Sequence, residues 1–164
     1  MKGVEVREGR EALRARRAQG IDLSREMLAV ARANLERADF GNCQVRQADL
    51  YQLPYPAAVF DAVIVHQILH FLDQPASAIA EAARVLAPGG NLVVVDFLPH
   101  DQENLRQEHE HRRLGFADKE IGAWFGRAGL TAKETEHLSG APLTVAVWVA
   151  EKPPTDTKQE APSP

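Results

Sequence analysis

The feature that most constrains this chain is residues 60–66, Phe-Asp-Ala-Val-Ile-Val-His, an apolar run broken only by Asp61. A strand that does not alternate polar and apolar suits a parallel sheet covered by helices on both faces. Such sheets need crossover helices, and the flanking sequence supplies their signals. Beyond Pro75, the residues Ile79, Ala82, Ala83 and Leu86 recur at helical spacing. Pro88-Gly89-Gly90 then turns the chain into the β-branched run at 92–95. The same logic holds upstream. Gly20-Ile21-Asp22-Leu23 reads as the end of a strand, Ser24 as a helix N-cap, and Leu23 and Leu28 as a hydrophobic staple. Met27, Leu28, Ala31, Leu35 and Ala38 form the apolar stripe of the following helix, which Gly41 is placed to end. Cys43, Val45 and Gln47 alternate with polar neighbours in a strand running to Asp49.

Downstream, residues 101–113 predict a polar helix. Asp118 is placed to cap another, in which Ile121, Trp124, Phe125 and Ala128 face inward as far as Gly129. Residues 131–137 and 144–150 predict a terminal antiparallel pair containing Trp148, which, like Trp124 and Phe125, is assigned to the core. Alternating strands and helices with short connections imply an open, mainly parallel α/β sheet, whose ligands bind at the carboxyl ends of the strands. Asp22, Asp49 and His66 stand at three such ends.

With 164 residues, 45% of them hydrophobic, the chain suits one domain with one core. Its segments read as an atypical charged stretch at 1–19, the organised domain at 20–150, and a polar, proline-rich tail at 151–164 that composition predicts to be disordered. Arg14, Arg16 and Arg17 lie among acids and read as a solvated helix face. A formal charge of −4 argues against a nucleic-acid binder and directs attention to a small ligand. One cysteine, Cys43, allows no internal disulfide, and no apolar run approaches a membrane span, so a soluble cytoplasmic protein is expected. Glu108-His109-Glu110-His111 invites a metal reading. On the predicted helix, residues two apart point to nearly opposite sides, so no metal site is assigned. Oligomeric state is not readable.

Four segments then occur in a telling order: Gly-Ile-Asp-Leu-Ser at 20–24, Gln-Ala-Asp-Leu at 47–50, Phe-Asp-Ala-Val-Ile-Val-His at 60–66 and Arg-Val-Leu-Ala-Pro-Gly-Gly at 84–90. Together they resemble the class I S-adenosylmethionine-dependent methyltransferases over about residues 20–150. Residues 96–116, with His100-Asp101 and His-Glu-His-Arg-Arg-Leu-Gly-Phe at 109–116, further resemble methyltransferase domains joined to ArsR-type winged-helix regulators. The resemblance implies a Rossmann-like, doubly wound sheet with a terminal antiparallel pair, and S-adenosylmethionine as cofactor. It implies that Asp22 binds the ribose hydroxyls, Leu23 lies against the adenine, and Asp49 with the Leu50 backbone reads the adenine edge. His66 falls beside the methionine portion, and Gln67 and His70 on the acceptor side.

The family's first motif, an acid-tipped strand followed by Gly-x-Gly-x-Gly, has no counterpart, because Gly3, Gly9 and Gly20 lie far apart. The expectation is a sheet lacking its first central strand, and the abrupt onset at Gly20 suggests an altered reading frame or a misplaced start. Transfer to a small-molecule acceptor is the function implied, and no catalytic base is named. A non-catalytic remnant, or a module that binds a partner chain, is the alternative. A nicotinamide dehydrogenase would need a glycine fingerprint ahead of Asp22.

Overall fold

A computed structural model describes residues 16–155. The expectations for the segments at 1–15 and 156–164 lie outside the described residues. Two pieces of sheet carry the architecture, one of two strands and one of four.

The smaller piece is a single β/α/β unit. Strand β1 (Ala18–Asp22) runs parallel to β2 (Cys43–Gln47), and helix α1 (Arg25–Arg37) makes the crossover. Ser24 caps α1 as expected, its hydroxyl accepting from Met27 N at 3.2 Å. Glu26 in the first turn and Arg37 in the last complement the helix dipole. The buried face of the helix is narrow, comprising Leu28 and Leu35. Leu23 does not form the expected staple, since it is 61% exposed. Nor does Gly41 end the helix. The chain leaves at Ala38 through Asp39, whose φ of 54° is a left-handed turn made without glycine. The strand is also longer than expected, beginning at Ala18, and β2 stops at Gln47 rather than Asp49.

The larger piece holds the core. Strand β3 (Phe60–His66) pairs in parallel with β4 (Leu86–Phe97) through helix α2 (Pro75–Val85). Strand β6 (Val145–Glu151) pairs antiparallel with β4, and β5 (Thr131–Leu138) with β6, giving the order β3-β4-β6-β5. The antiparallel pair expected at the end of the chain is present. Leu92, Val94 and Asp96 of β4 and Ala146, Trp148 and Ala150 of β6 are buried on one face. That face packs with Ile79 and Ala82 of α2, Phe116, and Ile121 and Phe125 of helix α4 (Asp118–Arg127).

Several local expectations are corrected. Pro88-Gly89-Gly90 lies inside β4, because Phe60 pairs with Leu86 and Ala62 with Asn91, so that residues 87–90 bulge from the ladder. Gly90 is required there, since a Cβ would lie 2.8 Å from Asp61 O. Asp118 is the first residue of α4 rather than its cap, which is Ala117. Its carboxylate instead accepts from the Trp148 indole at 2.7 Å, supplying the partner a buried Trp needs. The expected helix over 101–113 shrinks to α3 (Asn104–Glu108). Glu151 and Lys152, expected in a disordered tail, are ordered. Glu151 closes β6, and Lys152 Nζ donates to Ala83 O and Leu86 O at the end of α2.

Among the described residues no strand joins β1 to β3, and each keeps one edge unpaired. Segment 48–59 stitches the pieces together. Leu53 N donates to Glu81 at 2.7 Å, Arg84 donates to Leu53 O at 3.1 Å, and Tyr55 Oη donates to Gln19 Oε1 at 3.4 Å. Covering β3 on both faces was an expectation that fails. Val65 is buried, but Ile64 on the other face is 59% exposed. No described helix is long and apolar enough to cross a membrane.

Candidate functional site

Parallel strands present their carboxyl ends to ligands, and the expected residues gather at two groups of such ends. At the first, Asp22 is the half-buried last residue of β1. Its Oδ1 accepts from Ser24 N at 2.7 Å, so the carboxylate helps start α1. Asp49 lies two residues beyond β2 and is exposed, its Oδ1 accepting from Tyr51 N at 2.9 Å. Both aspartates therefore shape their own turns through one oxygen. The two strand ends are tied together. Gln47 Nε2 donates to Leu23 O at 2.9 Å, Arg25 Nε donates to Gln47 Oε1 at 3.3 Å, and Ala48 N donates to Asp22 O at 3.3 Å. Leu23 projects into solvent, whereas Leu50 packs against the core of the larger sheet.

The second group lies where β3 and β4 end. His66 closes β3 and is half-buried. Gln67 follows with φ of 48°, a left-handed conformation uncommon outside glycine, fixed by donation from its N–H to Val95 O at 2.7 Å. The chain then makes one 3-10 turn at Leu69–Phe71. His70 lies within this turn and is buried, not at a rim. Its Nδ1–H donates to Asp96 Oδ1 at 2.7 Å, with Asp96 fully buried near the end of β4. Asp96 Oδ1 also accepts from Phe97 N at 2.8 Å.

Residues 98–116 close over this turn. Arg112 N and Arg113 N donate to His70 O at 2.9 and 3.1 Å, and Arg112 pairs with Asp73. Arg113 holds Glu120 through two bonds of 2.7 and 2.9 Å and lies over the Phe116 and Trp124 rings. Gly115, with φ of 85°, is indispensable, since a Cβ would come within 2.1 Å of Leu98 O.

His111, which the segment carries inward, is 8% exposed, with its ring 4.2 Å from His70 and 6.1 Å from Phe97 between centroids. Burial, reinforced by repulsion from His70, pushes the His111 imidazole down to about 4. His100, in edge contact with Phe97, is also pushed below the usual histidine range, chiefly by burial.

Sequence reasoning names Asp22, Leu23, Asp49, Leu50, His66, Gln67 and His70, and the structure sets the first four near the ends of β1 and β2 and the last three near the end of β3. It missed Asp96, His100 and His111. Asp96 carried a signal, because a carboxylate closing a β-branched run in step with Leu92 and Val94 must occupy a buried position. The helix geometry used against a metal at 108–111 does not hold, since α3 ends at Glu108 and Glu110 turns with φ of 56°. Among the described residues, no group of three or more His, Cys, Asp or Glu is placed to hold a metal ion.

Comparison with known proteins places these strand ends in a family context. A family model described as a methyltransferase domain matches residues 6–94. The 27-O-demethylrifamycin SV methyltransferase of Amycolatopsis mediterranei is 38% identical over 129 residues, covering 73% of this chain and 47% of that protein. Demethylmenaquinone methyltransferase of Thermus thermophilus is 43% identical over 83 residues, covering 49% and 36% respectively. The chain thus spans less than half the length of these curated relatives. The crystal structure of the YcgJ protein from Bacillus subtilis shares the fold, with a TM-score of 0.73 at 17% identity, covering 84% of this chain and 83% of that one. Matched over more than half its length by the family model, the chain belongs to the methyltransferase domain family.

Proposed function

We propose that this chain is an S-adenosylmethionine-dependent methyltransferase acting on a small-molecule acceptor. The observation that carries the reading is the placement of Asp22 as the last residue of β1 and of Asp49 two residues beyond the adjacent parallel β2, in a chain of the methyltransferase family. The adenosine end of the cofactor fits these residues. A carboxylate with two oxygens keeps one for a ribose hydroxyl while Oδ1 of Asp22 holds Ser24 N. The exposed Leu23 side chain suits the face of an adenine, and Asp49 with the Leu50 backbone suits its edge. The methionine end has less to rest on, since residues 16–155 supply only His66 beside it and no glycine-rich turn.

When bound, S-adenosylmethionine supplies a methyl group already activated on a sulfonium, so holding the acceptor in line is the main task left to the protein. Gln67, fixed at its strand exit, and His70 stand on the acceptor side. The names of the rifamycin and menaquinone relatives identify small-molecule acceptors, and the charge of −4 favours such a ligand over nucleic acid. The kinship with domains joined to ArsR-type regulators, carried by His100-Asp101 and residues 109–116, belongs to this reading, as does a cytoplasmic location.

A second reading, a non-catalytic remnant or a module that binds a partner chain, is favoured by the division of the sheet into two pieces with unpaired edges. Calorimetric titration with S-adenosylhomocysteine, alongside a circular-dichroism melt, separates the two. Saturable binding is expected, abolished in Asp22→Ala and strongly weakened in Asp22→Asn, which keeps an acceptor for Ser24 N but removes the charge. A folded chain that binds nothing leaves the second reading.

A further inference from the structure

Segment 48–59 is fixed to α2 through its backbone as well as by packing. Leu53 is buried, and both of its main-chain polar groups meet one ion pair of that helix. Its N–H donates to Glu81 Oε1 at 2.7 Å, and its carbonyl accepts from Arg84 Nη2 at 3.1 Å. Glu81 and Arg84 are joined in turn by two bonds, from Nε to Oε2 at 2.8 Å and from Nη2 to Oε1 at 2.7 Å. The hydrogen bonds from Arg84 hold the Glu81 carboxyl below the usual carboxylate range, so the acceptor for Leu53 N stays charged. Two residues earlier, Tyr51 Oη accepts from the backbone N–H of Gln74, the cap of α2, at 3.1 Å. Apolar packing fixes where a loop sits. Bonds to both polar groups of one residue also fix how its peptide planes are turned.

The turn from Asp49 to Leu53 carries that orientation toward the end of β2. Asp49 O accepts from Gln52 N at 3.2 Å and Asp49 Oδ1 from Tyr51 N at 2.9 Å, so both the main chain and the side chain of Asp49 close the turn. On its other side Asp49 adjoins Ala48, whose N–H donates to Asp22 O. That support belongs to a piece whose helix buries only Leu28 and Leu35. The support from α2 is of another kind, because Ile79, Ala82 and Ala83 anchor this helix in the core of the larger sheet.

We propose that Glu81, together with Arg84, is a positioning residue for cofactor recognition, setting through Leu53 the angle at which Asp49 and Leu50 meet the adenine edge. The assignment rests on the methyltransferase reading, which supplies the adenine. Neither side chain has to reach the ligand. Hydrogen bonds weaken steeply with misalignment, so a turn freed from Glu81 would keep Asp49 at the end of β2 and still lose its grip on the edge.

The test uses the full chain and two ligands that differ only at that edge, S-adenosylhomocysteine and S-inosylhomocysteine, in which a carbonyl replaces the exocyclic amine. Calorimetric titration of the parent should favour the adenosyl ligand about tenfold, the worth of one or two hydrogen bonds. Glu81→Ala should cut the preference to about twofold by weakening the adenosyl ligand, with the inosyl ligand bound nearly as before. Glu81→Gln keeps an oxygen for Leu53 N and should restore most of the preference. A residue that only stabilised the fold would weaken both ligands equally. Hydrogen exchange without ligand reads the clamp itself: the Tyr51 and Leu53 amides should exchange faster in Glu81→Ala, with β4 and β6 unchanged. Should Glu81→Ala fail to fold, Arg84→Lys, which keeps the charge and loses the fork, gives the same comparison with a smaller loss. An adenosyl preference that survives Glu81→Ala, or exchange that does not change, overturns the proposal. Equal binding of both ligands by the parent overturns it as well and leaves cofactor binding standing. Failure of the methyltransferase reading looks different, since the parent then binds neither ligand, and the proposal falls with it.

Discussion

The two pieces of sheet are built from the same β/α/β pattern, yet they differ in how completely each is covered. In the β3-β4-β6-β5 piece, α2, α4 and Phe116 seal one face, and Leu92, Val94, Ala146 and Ala150 are fully buried. In the β1-β2 piece, every residue of β1 is only half-buried, and the buried side chains of α1 are Leu28 and Leu35. Covering a parallel unit takes neighbours on both sides of its strands, and β1 has one strand neighbour where a central strand would have two. Stability is therefore concentrated in the larger piece, while half of the candidate site stands on the smaller.

The largest expected effect breaks the stronger side of this comparison. Phe125 is buried in the core, and Phe125→Ala should cost about 3–5 kcal/mol in denaturant unfolding, a large share of the roughly 5–15 kcal/mol of a typical domain. Leu28→Ala, at a site nearly as buried, should leave the main transition almost in place and show its loss in the β1 and β2 amides. If both substitutions shift one common transition equally, the pieces unfold as a unit and the contrast drawn here fails.

Next in size is the buried pair of His70 and Asp96. His70→Leu leaves Asp96 fully buried without its imidazole, and stranding a charge in this way typically costs about 3–5 kcal/mol at the worst sites. The Asp96 oxygens keep the Phe97 and His70 backbone N–H groups, so the lower end of that range is expected. Calorimetric melting measures it, and a change within error would mean that water replaces the imidazole.

The pH dependence has a definite sign. His111 titrates in the folded protein at about 4, against an ordinary value of 6.5. Above 6.5 both states hold it neutral and it contributes nothing to the pH slope. As pH falls from 6.5 toward 4, the unfolded chain takes up a proton that the folded chain refuses, so stability falls through that window and levels off below it. The groups facing His111 are His70, Asp96, His100 and His109. His111→Phe should flatten this part of the stability profile, and an unchanged slope would show that other groups set it.

How much of this was legible beforehand follows from what each residue depends on. Ser24, the Leu28 and Leu35 face of α1 and the terminal antiparallel pair were readable because caps and periodicity are local, but Met27 and Ala31 of the expected stripe are only half-buried and Ala38 is exposed. The strand ends at Asp22 and His66 were readable because strand ends follow from strands, whereas β2 stops two residues short of Asp49. The role of Asp118 was not, because its partner, Trp148, lies 30 residues away. The segment at 101–113 misled for a related reason. Its helical composition yields to the backbone bonds that Arg112 and Arg113 make with His70, and these draw His111 inward. The bulge at 87–90 was hidden because Pro-Gly-Gly signals a turn whether or not the strand has already begun.

The smallest effect gives the sharpest test of the comparison. Ser24 caps α1 by accepting from Met27 N, and replacing a capping serine by alanine costs about 1 kcal/mol. In a protein whose two pieces are fully coupled, that loss would appear in every slowly exchanging amide. With the pieces unequally covered, Ser24→Ala should instead speed hydrogen exchange about fivefold in α1, β1 and β2, leaving β4 and β6 unchanged. The same measurement bears on the site, because the turn that Ser24 begins is the one Asp22 holds through Ser24 N. Protection restored across α1, β1 and β2 by S-adenosylhomocysteine, in parent and variant alike, would mean that the ligand supplies the cover this piece lacks. Exchange that ignores the ligand would leave Asp22 and Asp49 as turn-forming residues only.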